Sequence, residues 1–128
     1  MRRLCKFFMD KNAVLDRLES LSYLLSEQSL DFESVDSKTS IIRGELVFVN
    51  GFRLDFREFE SPDIHDYRFQ LMDEDDDLVR RWDTARHHEE LENFPFHVHK
   101  PEEVESSEEL TSTEILEKTE EIVLDKIQ

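Results

Sequence analysis

Glycine is nearly missing from this chain: Gly44 and Gly51 are the only two in 128 residues. A phosphate-binding loop uses glycines to let backbone N–H groups close on an anion, so motifs of that kind are excluded. So is the Gly-x-Ser-x-Gly elbow of serine hydrolases. Cysteine is scarcer still. Cys5 stands alone, so no internal disulfide can form, and it has no catalytic setting. Such cysteine usage agrees with a reducing compartment, and the expected localisation is cytoplasmic. No apolar run reaches eighteen residues, so nothing is expected to span a membrane. The first nine residues carry basic side chains but no continuous apolar stretch of signal-peptide length.

Basic residues are outnumbered, 16 against 32 acidic ones, giving a net charge of −16. The imbalance is uneven. Residues 1–60 hold nine basic and eleven acidic side chains, whereas residues 101–128 hold two and ten. The body is nearly balanced and the tail is an acidic appendage. A uniformly acidic protein would repel nucleic-acid phosphates, but a balanced body with local arginines need not.

At this length one domain is expected, residues 1–128. Its expected parts are a loose arm over 1–9, a helix over 10–27, an antiparallel sheet over 29–99, an acidic linker over 100–109 and a helix over 110–127. Val14, Leu18, Leu21 and Leu25 recur at the helical period behind an Asp10 N-cap. "SLDFESVD", "SIIRGELVFV", "FRLDFREFE" and "DYRFQLM" then switch to period two. Asn50-Gly51 reads as a two-residue hairpin turn. That turn would pair Val49 with Phe52, Val47 with Leu54, Glu45 with Phe56 and Arg43 with Glu58. "MDEDDDLV" is a reversal between strands. It is no calcium loop, because Leu78 and Thr84 stand where such a loop needs glycine and glutamate. Near the C-terminus Thr111 and Glu114 have the spacing of a capping box, with Leu110 and Ile115 as its apolar staple. The fold class is therefore α+β, a curved, meander-like antiparallel sheet of about five or six strands with an N-terminal and a C-terminal helix.

Four of the five histidines lie in "RWDTARHHEELENFPFHVH", residues 81–99. His97 and His99 would point the same way from an extended segment and could share an ion with His88, Asp83 or Glu58. Their spacing matches no defined metal site, and the helical His-Glu-x-x-His motif is absent, so no metal or other cofactor is expected. Imidazoles can also exchange protons near neutral pH, one as base and one as acid. Cleavage of a phosphodiester by a ribose 2′-hydroxyl needs such a pair and a cation on the phosphate. Arg81 and Arg86 are close in sequence. Alternatively, Trp82, Phe94 and Phe96 are core residues and the histidines cap strand ends.

The order Arg81-Trp82-Asp83, His87-His88, then Phe94-Pro95 with His97 and His99 resembles the signature of the TumE-type toxin family. Members carry Arg-Tyr-Asp-Asn-Ala-Pro-His-His, followed by Phe-Pro-His-His-Lys-His. Here Thr84, Arg86, Phe96 and Val98 replace the asparagine, proline, a histidine and the lysine. "IIRGELVFVNGFRLDFREF" and "YRFQLMDEDDDLVRRWD" are similar to the family's hairpin and following strand pair, so the likeness runs over about residues 10–125. The resemblance implies the toxin half of a type II toxin–antitoxin module, acting on RNA as an endoribonuclease. It also implies a cognate antitoxin, a small DNA-binding protein encoded by a neighbouring gene. A homodimer is one assembly open to it. The candidate catalytic set is Arg43, Glu58, Arg81, Asp83, His87, His88, His97 and His99. In the competing view the histidine segment is structural, and the acidic C-terminal helix binds a basic partner in a non-enzymatic regulator.

Overall fold

The computed structural model describes residues 11–84, 96–106 and 109–127. The expected Asp10 cap and the arm before it lie outside them. Helix α1 (Lys11–Leu21) buries Val14, Leu18 and Leu21, and ends earlier than expected, in a 3-10 turn (Ser22–Leu24). Leu25 already begins a strand.

Seven strands follow, one more than the upper expectation: β1 (Leu25–Asp36), β2 (Thr39–Phe48), β3 (Arg53–Glu60), β4 (His65–Met72), β5 (Leu78–Asp83), β6 (His97–Lys100) and β7 (Glu103–Ser106). They form one antiparallel meander in the order β1 to β7. The extra strand is β7, inside the stretch expected to be an acidic linker. Its backbone pairs with β6, and Lys100 Nζ meets Glu105 at 3.0 Å, so part of the acidic charge is neutralised across the ladder. Helix α2 (Ser112–Ile127) closes the chain. Its capping box forms as the sequence predicts, with Thr111 Oγ1 accepting from Glu114 N and Glu114 Oε1 accepting from Thr111 N.

The hairpin register overturns one expectation. Gly51 N donates to Phe48 O (2.9 Å) and Phe48 N to Phe52 O (2.8 Å), so the loop has three residues, Val49 to Gly51. Gly51 takes φ +92°, the left-handed conformation that ends such a loop after a tight turn. Arg43 therefore pairs with Arg57, Glu45 with Asp55 and Leu46 with Leu54, and Glu58 pairs with Ile42. A shift of one residue sends alternate side chains to opposite faces. Ile42, Leu46 and Phe48 now share a face with Leu54 and Phe56, and all five are buried. Apolar alternation on both strands outweighs the two-residue turn preference of Asn-Gly.

The sheet thus has a core face and a polar face. One core cluster joins Val14, Leu18 and Leu21 of α1, Ile115, Leu116 and Val123 of α2, and the apolar residues of β2 to β5. Phe56 stacks on Phe69 with centroids 5.0 Å apart. The acidic β4–β5 turn holds itself together, since Asp73 Oδ1 accepts from the backbone N–H groups of Asp75 and Asp77.

Candidate active site

On the polar face the register lines up charge across the sheet. One row runs Asp31, Arg43, Arg57, Arg68, Asp83 and His97, from β1 to β6. The row beside it runs Glu45, Asp55, Gln70, Arg81 and His99. At about 4.8 Å per strand, the first row spans roughly 19 Å from Arg43 to His97. Three arginines in direct cross-strand succession repel one another. Arg43 has Asp31 at 3.8 Å, whereas Arg57 and Arg68 make no ion pair among the described residues. The arginines line an open depression of about 600 Å³ with Asp31, Asp55 and Gln70. A smaller hollow beside it is lined by Arg57, Phe59, Asp66, Tyr67 and Thr84.

Where the rows reach β5 and β6 the polar groups close on one another. Arg81 Nε donates to Asp83 Oδ2 (3.1 Å), and Asp83 Oδ1 lies 3.1 Å from His99 Nε2 and 3.8 Å from His97 Nδ1. The other imidazole nitrogen of His99, Nδ1, lies 3.2 Å from a terminal Arg81 nitrogen. A guanidinium only donates, so His99 Nδ1 accepts and its proton sits on Nε2, facing Asp83. Exposure falls along the cluster: the side chains of Arg81, His99 and His97 are 26%, 7% and 0% exposed.

The sequence-predicted set therefore divides. Arg81, Asp83, His97 and His99 come together, and Arg43 shares their face at the far end of the row. Glu58 does not join them, because the corrected register turns it into the core face, 2% exposed. His87 and His88 lie outside the described residues. Arg57, Arg68 and Gln70 were not predicted; pairing β2 to β5 by their buried alternation would have placed them.

Glu58 belongs to a second cluster, built around the histidine left out of the predicted set. His65 Nε2 and Nδ1 lie 2.5 Å from Glu58 Oε2 and Glu109 Oε2. Burial pushes the His65 pKa down, but hydrogen bonds to Glu58 and Glu109 and the charges of Glu58 and Glu60 outweigh it, and the net shift is upward. Glu60 stands directly across from His65 on the same face. Tyr67 roofs the cluster, its hydroxyl accepting from Leu110 N.

The family model of toxin TumE matches residues 13–127, nearly the whole chain. The chain belongs to the TumE toxin family. As a member it is a toxin of a toxin–antitoxin system, and a toxin of this kind has a cognate antitoxin. Comparison with curated proteins and with solved structures returns no match. No described helix is long and apolar enough to cross a membrane.

Proposed function

We propose that this TumE toxin belongs to a type II module and cleaves RNA on its polar face by metal-independent acid–base chemistry. The observation that carries the reading is the arginine row running into the Arg81–Asp83–His99 cluster. Three cations are held side by side against their mutual repulsion, in a protein whose net charge is −16. An anion bound along the row removes that repulsion, and a phosphodiester chain offers several in succession.

In this mechanism Arg43, Arg57 and Arg68 hold backbone phosphates and Arg81 meets the scissile one. Engagement of Arg81 by phosphate frees Nδ1 of His99 to take the proton of the 2′-hydroxyl. The 2′-oxygen attacks the adjacent phosphorus, and the 5′-oxygen leaves with a proton from an imidazolium, giving a 2′,3′-cyclic phosphate and a 5′-hydroxyl. Asp83 orients His99 and steadies its charge. His97 has no exposed surface. It acts through Asp83, as a positioning residue. His88, carried by the family signature, is the candidate for the second proton carrier, with His87 beside it.

The burial of His97, His99 and Asp83 is the observation that favours the alternative, in which the cluster only braces β5 and β6. Total RNA incubated with stoichiometric protein, with and without EDTA, separates the possibilities. Cyclic-phosphate ends in both samples are the expected result. Intact RNA in both would end the proposal, and cutting that stops while the sheet stays folded would move the chemistry to a metal.

A further inference from the structure

The cluster on the core face has the parts of a metal site. Glu58 and Glu60 are two residues apart on β3, so both point into the core face, and His65 stands across from Glu60 on β4. The three residues are 2%, 1% and 5% exposed. One ligand atom from each lies within 4.8 Å of the others. Glu58 Oε1 is buried and has no hydrogen-bond partner, although its sister oxygen reaches His65.

His65 is also braced as metal-bound imidazoles commonly are. Its Nδ1 faces Glu109 and its Nε2 faces Glu58, so a proton kept on Nδ1 toward Glu109 would leave the Nε2 lone pair directed at the ligand position. Binding a cation there requires only that the Nε2 proton be released and that Glu58 change from acceptor to ligand. The donor set, one imidazole and two carboxylates, suits Zn²⁺, Mn²⁺ or Fe²⁺. Ca²⁺ needs six to eight oxygens, and Mg²⁺ keeps several waters that so closed a place does not readily admit.

We infer that Glu58, Glu60 and His65 hold one divalent transition-metal ion, with Glu109 orienting His65, and that the ion ties β3 and β4 to the segment leading into α2. The inference is independent of the chemistry assigned to the polar face. Full-length protein stripped with chelator and titrated with Co²⁺, then Zn²⁺, tests it. Expected are one ion per chain, a visible Co²⁺ absorption displaced by Zn²⁺, and a higher melting temperature with either metal. Glu58→Gln and His65→Gln should lose uptake. Glu109→Gln, which keeps all three ligands, should weaken it ten- to a hundredfold. Asp83→Asn and His99→Gln should leave it unchanged. Absence of uptake by the parent protein overturns the inference. So does uptake that survives Glu109→Gln undiminished, or uptake lost with the polar-face variants instead. Far-UV circular dichroism on the same stripped sample separates melting of the sheet from loss of any chemistry on the other face.

Discussion

Arg57 sits between Arg43 and Arg68 with like charge on both sides and no ion pair among the described residues, so its side chain contributes little to the fold. Its replacement by alanine should leave stability within about 0.5 kcal/mol of the parent, or raise it slightly. RNA cleavage should nevertheless fall by about tenfold or more, equivalent to about 1.4 kcal/mol of lost binding in the transition state. Thermal melting and a cleavage assay on the same preparation check both halves. Gly44 shows the opposite balance. A Cβ there would lie against Cζ of Phe56, a ring stacked on Phe69. Gly44→Ala should therefore cost about 1–3 kcal/mol by overpacking, read as a fall in melting temperature.

Between elements, the β2–β3 ladder carries an electrostatic fault that pH can expose. Glu45 faces Asp55 directly, and sharing a hydrogen bond with it, then charge repulsion, raises the Glu45 pKa above the usual glutamate value. The folded state thus holds the Glu45 proton to higher pH than the unfolded chain does. Stability from this group declines as pH rises from the unfolded value through the folded one, and the unfavourable contribution persists at neutrality. Glu45→Gln should melt slightly higher than the parent at pH 7, with the difference vanishing in acid; melts across that range check it.

The same ladder shows how far sequence carries the fold. Val14, Leu18 and Leu21, the Thr111–Glu114 cap and the acidic β4–β5 turn were legible, because each depends on neighbours within a few residues. The hairpin register is not legible from the turn alone, since Asn-Gly suggests one turn while Ile42, Leu46, Phe48, Leu54 and Phe56 require another. That single residue decided the site. It exchanges Glu58 for Arg57 as the neighbour of Arg43, whereas Arg81, Asp83, His97 and His99 meet through the local pairing of β5 and β6. The His65 cluster is not legible in the sequence because its partners Glu58 and Glu109 are 7 and 44 residues away.

For the molecule as a whole, the sheet separates two kinds of chemistry. The core face holds both helices and a buried carboxylate–histidine cluster. The polar face gathers Arg43, Arg57, Arg68 and Arg81 out of only 16 basic residues in the chain. Much of the remaining negative charge lies elsewhere, with ten acidic residues in the last 28. Charge so arranged would keep a polyanion off most of the surface and admit it along one row. Growth inhibition by the expressed toxin, compared with Arg57→Ala and His99→Gln at matched soluble levels and matched melting temperatures, tests this most directly. Both variants are predicted to lose toxicity while remaining folded. Full toxicity in both, with the fold intact, would contradict the assignment of the polar face as the working surface.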